Sequence, residues 1–145
     1  MFSDRERRYL ETAPLGRLAT ADADGRPHVV PVCFALQDDA VMTPIDEKPK
    51  QVDPESLRRC RDIRENPRVS LVVDHYASDW SKLGWVQVRG TATLLDPAAT
   101  FHSEGVAALR SKYDQYESHS LAERPLVRIE PGTVHSWGTL DRPDP

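Results

Sequence analysis

The chain has 145 residues, 39% of them hydrophobic and 29% charged, with a formal net charge of -4. That length fits one compact domain (1–145) able to bury roughly 68–70% of its unfolded surface. The acidic balance excludes a general nucleic-acid binder, which needs a basic face, and no apolar run approaches the ~18 residues that span a bilayer. The opening Met1-Phe2-Ser3-Asp4-Arg5-Glu6-Arg7-Arg8 lacks an apolar signal region. A cytoplasmic protein with neither nucleic-acid nor membrane partners is therefore expected. Cys33 and Cys60 have no CxxC spacing and are expected as free thiols.

Ser3-Asp4-Arg5-Glu6 has the form of a capping box, so a short helix is predicted to run to about Thr12, where Pro14 stops it. Residues 15–21 read as a strand. Asp22-Ala23-Asp24-Gly25 is a turn, and residues 27–36, rich in Val and Phe, read as the returning strand. Pro31 inside that strand has no N–H for a ladder, which suits an edge, a bulge or a ligand contact. Residues 40–44 form a third short strand, completing an antiparallel meander.

Asp53-Pro54 reads as a helix cap followed by proline at the first helical position. Leu57, Cys60 and Ile63 make the apolar side of that helix, and Asn66-Pro67 ends it. Residues 69–74 form a nearly continuous apolar run, a buried strand. Residues 76–84 are a polar loop. In the long strand 85–95, Val86, Val88, Gly90, Ala92 and Leu94 point to the core. Trp85, Gln87, Arg89, Thr91 and Thr93 point to a wet or interfacial surface. Asp96-Pro97 predicts a helix to about Lys112, with Phe101, Val106 and Leu109 inward. Residues 113–124 read as a loop, 125–130 and 134–137 as a last strand interrupted at Pro131-Gly132, and 141–145 as a frayed tail. The fold class is mainly β: six antiparallel strands in a closed sheet with short helices, its core spanning about 5–138.

Three segments carry candidate chemistry. In the loop Thr43-Pro-Ile-Asp-Glu-Lys-Pro-Lys50, Lys48 and Lys50 precede a helix start, a combination that suits phosphate, and Asp46 suits a hydroxyl or a lysine. The same residues also suit an ordinary charged surface loop. In Asp74-His-Tyr-Ala-Ser-Asp-Trp-Ser-Lys-Leu-Gly-Trp85, Trp80 and Trp85 are placed to stack on a planar ring, or equally to fill a core or an interface. His75 beside Asp79 is a weak acid–base pair. Backbone amides around Val29, Val30 and Pro31 can meet the polar edge of a flavin-like ring, or can belong to a bulged strand. The five histidines are scattered without metal-ligand spacing, so no metal is expected.

Four stretches carry a family resemblance by their order and spacing: Gly16-Arg-Leu-Ala-Thr-Ala-Asp-Ala-Asp-Gly-Arg-Pro-His-Val-Val-Pro31, Asp46-Glu-Lys-Pro-Lys50, Asn66-Pro-Arg-Val-Ser-Leu-Val-Val-Asp74 and Asp79-Trp-Ser-Lys-Leu-Gly-Trp-Val-Gln-Val-Arg-Gly-Thr-Ala92. Together they resemble the pyridoxamine 5′-phosphate oxidase-like, FMN-binding split-barrel superfamily, and more narrowly its branch that uses the deazaflavin coenzyme F420. The resemblance implies a homodimer with cofactor sites at the subunit interface. It implies that the backbone at Val29 to Pro31 and Thr43 meets the ring, that Lys48 and Lys50 hold the phosphate, and that Trp85 contacts the cofactor. It also suggests that Trp137 closes the pocket. By charge, Arg58 and Arg61 suit the acidic tail of F420. True pyridoxamine phosphate oxidases end in a tryptophan and a downstream arginine that bind substrate. Here Trp137 is followed by Gly138-Thr139-Leu140-Asp141-Arg142-Pro143, a poor match that argues against vitamin B6 oxidation. The function expected is hydride transfer between reduced F420 and a small electron-poor acceptor. The rivals are an FMN oxidoreductase and a non-catalytic carrier of flavin, F420 or haem.

Overall fold

The computed structural model describes residues 1–45 and 57–141. Helix α1, Asp4–Thr12, is capped as its sequence predicts. The Glu6 N–H donates to Ser3 Oγ at 3.0 Å, and the Ser3 N–H donates to Glu6 Oε1 at 2.9 Å. Strands β1 (Gly16–Ala21), β2 (Pro27–Val32), β3 (Ala35–Gln37) and β4 (Ala40–Pro44) follow. Helix α2 is Arg58–Glu65, and the Asp53-Pro54 cap assigned from sequence lies outside the described residues. Strands β5 (Arg68–His75) and β6 (Gly84–Leu95), helix α3 (His102–Lys112) and strand β7 (Leu126–Gly138) complete the chain.

Among the described residues the strands form one antiparallel sheet in the order β2-β1-β5-β6-β7-β4-β3, seven strands where six were expected. The difference arises at Cys33-Phe34, where the expected second strand breaks. Its first half pairs with β1 and its second half with β4. Val32 and Ala35 lie three residues apart, at most about 11 Å. The two ends of the sheet order are thus tethered to each other, and the sheet must curl into a half-barrel. Its concave side holds the main core, with Leu18, Leu71, Val73, Val86, Val88 and Ile129 from four strands, sealed by Tyr9 and Leu10 of α1 and Cys60 and Ile63 of α2. Cys33 and Cys60 are free thiols.

A second cluster packs α3 on the outside of β3 and β4 through Val106, Leu109, Met42 and Leu126. Phe101 departs from expectation. It is the N-cap of α3 with φ 74° and its ring is exposed, lying against Arg128, whose guanidinium carbon is 5.0 Å from the ring centroid. His102 turns inward instead, with Nε2 2.7 Å from the Arg124 carbonyl. Residues 113–124, expected as a plain loop, form two 3₁₀ turns that bury Tyr116 and Leu121 in this cluster. Strand β7 is continuous through Pro131-Gly132. The register shifts there, Arg89 facing Thr133 and Gly90 facing Pro131, so the interruption seen in the sequence is a β-bulge rather than a break. Leu94 and Leu95 of β6 project to opposite sides, Leu94 onto the main core and Leu95 into the α3 cluster.

Candidate functional site: the convex face of the sheet

Residues directly opposite one another in an antiparallel pair project to the same face. The register therefore sorts the sheet into rows. On the concave side, Val30, Leu18, Leu71, Val88 and Val134 form one apolar row. On the convex side one row runs Val29, Ala19, Ser70, Arg89, Thr133. The next runs Pro31, Arg17, Val72, Gln87, His135, and a third Asp74, Trp85, Trp137. The burial alternates accordingly along β6. The convex side leaves large apolar groups in water: Val29 is 60% exposed and Trp137 53%. Arg17 donates to the Asp74 carboxylate across β1 and β5, tying two of the rows together.

The β5–β6 loop at the tryptophan end of this face is held by local bonds. The Asp79 carboxylate accepts from the N–H and the hydroxyl of Ser81 at 3.0 and 2.7 Å. The Ser81 hydroxyl first, then its N–H, holds the Asp79 carboxyl below the usual range. Thr139 Oγ1 donates to the Ser81 carbonyl at 3.0 Å, and the Thr139 N–H donates to the Leu83 carbonyl at 2.8 Å. His75 sits between two partners, Nδ1 2.8 Å from the Tyr9 hydroxyl and Nε2 2.6 Å from the Lys82 carbonyl. That carbonyl can only accept, so Nε2 carries a hydrogen, while the Tyr9 hydroxyl lies within reach of both Nδ1 and the Gly84 carbonyl, 3.4 Å away. His75 and Asp79 thus each have a holding role in the loop, and the acid–base pairing considered from sequence has no shared bond. Trp80, 71% exposed, donates its indole N–H to the Tyr76 hydroxyl at 3.3 Å.

The predicted site residues divide. Val29, Pro31, Trp85 and Trp137 share the convex face, and Trp80 lies in the loop at its end. Val30 points to the core. Thr43 is buried, 1% exposed, and donates Oγ1 to the Cys33 carbonyl at 2.8 Å, where it fixes the turn between β2 and β3. Arg61 is exposed on α2 beside a small cleft with Asp22, Arg58, Asp62 and Glu65, away from the convex rows. In that cleft the buried Asp62 accepts from Thr20 Oγ1 at 2.7 Å, which locks α2 to β1, and from Arg58 Nε of its own helix at 2.8 Å. Asp46, Lys48 and Lys50 lie outside the described residues. Sequence reasoning did not single out Arg68 and Ser70 on the convex face. The only signal for Ser70 was a polar residue inside an otherwise apolar run.

Among the described residues no three His, Cys, Asp or Glu side chains gather as a metal site requires, and no helix is long and apolar enough to cross a membrane. The chain is 29% identical over 138 residues to the 5a,11a-dehydrotetracycline/5a,11a-dehydrooxytetracycline reductase of Streptomyces rimosus, covering 94% of this chain and 83% of that one. Its fold is similar to a conserved hypothetical protein of Mycobacterium tuberculosis, with a TM-score of 0.75 at 20% identity over 95% of this chain and 86% of that one. It is also similar to the haem storage protein HutZ of Vibrio cholerae, with a TM-score of 0.69 at 17% identity over 91% and 90% of the two chains. The family model for pyridoxamine 5′-phosphate oxidase matches residues 2–138, nearly the whole chain, and the protein belongs to that family.

Proposed function

We propose that this protein is an oxidoreductase that binds F420 between two copies of itself and passes a hydride from the reduced cofactor to a small, electron-poor organic acceptor. Family membership and the likeness to a reductase support the oxidoreductase reading. The observation that carries the cofactor reading is the convex face, where Val29 and Pro31 at one edge and Trp85 and Trp137 at the other line up on a single surface. Such a surface fits a planar ring: two indoles offer π faces, and the strand backbone beside Pro31 offers polar groups to a ring edge. When bound, the deazaflavin supplies the hydride chemistry.

The chain's own contribution is position and water exclusion. Trp85 and Trp137 orient the ring and shed water from its face. Lys48 and Lys50 hold the charged end as the resemblance implies, and Asp46 orients one of the lysines or holds a hydroxyl of the cofactor. A second copy of the chain covers the exposed indoles. The conjugated dehydrotetracycline reduced by the Streptomyces relative exemplifies the acceptor class.

Titrating the protein with F420 and, separately, with FMN tests this. F420 is expected to bind and FMN to bind weakly or not at all. Trp85→Ala combined with Trp137→Ala is expected to cost about tenfold in F420 affinity. Lys48→Ala with Lys50→Ala is expected to cost more, since each charged hydrogen bond contributes roughly 1.5–3 kcal/mol. Tight FMN binding with none for F420 transfers the proposal to the FMN enzyme. F420 binding without turnover on any of a broad panel of acceptors makes the protein a carrier. A monomer by light scattering in the presence of saturating F420 ends the shared-site reading.

A further inference from the structure

At the other end of the convex face, where β6 and β7 bulge apart, lies a cleft of ≈ 590 Å³. Small side chains make its floor: Ala19 and Ala21 from β1 and Ser70 from β5. Gly90 and Gly132 form its bulged wall. Gly90 is obligatory there, because a Cβ would stand 2.1 Å from the Glu130 carbonyl oxygen.

Arg68 and Arg89 also line this cleft. Arg89 lies opposite Ser70 and Arg68 lies opposite Thr91, so the two arginines are diagonal neighbours on the same face, with backbones ~7 Å apart. Both are exposed, and among the described residues neither side chain makes an ion pair or a side-chain hydrogen bond. The nearest acidic neighbour in the rows is Glu130, opposite Thr91, and its carboxylate is turned to Arg128 at 3.7 Å. Like charges set side by side on a sheet repel. An anion between them reverses that repulsion, and the arginine fork suits a carboxylate, phosphate or sulfonate.

We propose that this cleft is a binding site for a flat anionic ligand, its charged group held between Arg68 and Arg89 and its apolar body laid on Ala19, Ala21 and the bulge. Arg89 is four residues from Trp85 along β6, about 13 Å, so this site is separate from the indole pair. It also owes nothing to the lysine loop. The inference therefore stands whichever redox cofactor the protein binds.

The test uses the whole protein and the probe 8-anilinonaphthalene-1-sulfonate, with the neutral N-phenyl-1-naphthylamine as the uncharged counterpart. The sulfonate is expected to bind saturably with an increase in fluorescence. Arg68→Gln and Arg89→Gln are each expected to weaken it about tenfold, and the double variant more. The neutral probe is expected to bind wild-type protein at least about tenfold more weakly than the sulfonate and to ignore both substitutions. Exposed arginines without ion pairs are dispensable for folding, so the variants should melt with the wild type. Equal affinity for the two probes overturns the proposal without any variant being made. So does sulfonate binding that the double variant leaves unchanged. An F420 titration of the same double variant should match wild type, which separates failure here from failure of the redox reading.

Discussion

The concave and convex sides of this sheet are built from the same strands, yet they obey different rules. Along β5, Val69, Leu71 and Val73 point inward and are buried, while Arg68, Ser70, Val72 and Asp74 point outward. The inner set is chemically uniform because it must only exclude water. The outer set mixes indoles, arginines, hydroxyls and a carboxylate, a combination that packing alone does not require. One strand thus carries stability on one side and recognition on the other, and the period of two keeps the tasks apart.

The sharpest way to break that division is from the inside. Phe34 is fully buried, its ring lies beneath the Lys112 ammonium at 3.8 Å, and its N–H donates to the Tyr113 hydroxyl at 3.1 Å. Phe34→Ala is expected to destabilise by about 3–5 kcal/mol. Gln87→Ala on the convex face is expected to stay within about 0.5 kcal/mol of wild type. Urea melts of the two variants check the contrast, and equal losses would dissolve it.

Gly90 tests the border between the two sides. Gly90→Ala drives a methyl into the Glu130 carbonyl and is expected to cost about 1–3 kcal/mol, with loss of the cleft beside it. Thermal melting together with sulfonate-probe binding reads both effects.

The smallest of the expected losses belongs to neither face. Ser3→Ala removes half of the α1 capping box and is expected to cost about 1 kcal/mol. The partner carboxyl, Glu6, is held below the usual glutamate range. Burial pushes it up, but the Ser3 N–H and the hydroxyls of Ser136 and Ser3 outweigh that. Its folded value lies below its unfolded one. The stabilisation is therefore fully present above the ordinary glutamate range, near pH 4.3, and is lost as pH falls through the folded value. Glu6→Gln should flatten that acid limb in melts taken between pH 3 and 6.

The features readable in the sequence were those set by neighbours in the chain. The capping box of α1, the turn at Gly25 with φ 81° and the alternation of β6 all depend on residues within a few positions. The break at Cys33-Phe34 was not readable, because apolar residues continue across it and only the pairing of each half with a different strand reveals it. Thr43 entered the candidate site through its backbone, as the resemblance implied. In β4, however, every side chain is buried, since α3 covers one side and the core the other, and its hydroxyl bonds the backbone. Phe101 followed the helical period but fell on the cap, where a left-handed backbone turns its ring outward. The Thr20–Asp62–Arg58 lock joins residues far apart in the chain and left no local trace. The convex face lay between these cases. Its β6 half was legible from alternation, whereas its β1, β2 and β5 halves needed the register.

The two-residue joint between β2 and β3 also governs how the molecule can assemble. β4 pairs with β3 next to it in the chain on one side and with the distant β7 on the other, so the curl cannot close until that long-range pairing forms. A chain cut short before Leu126 would leave β6 and β4 with bare hydrogen-bonding edges in place of the single strand that now pairs with both. Those edges are what aggregation recruits, so the final strand acts as the molecule's own edge protection.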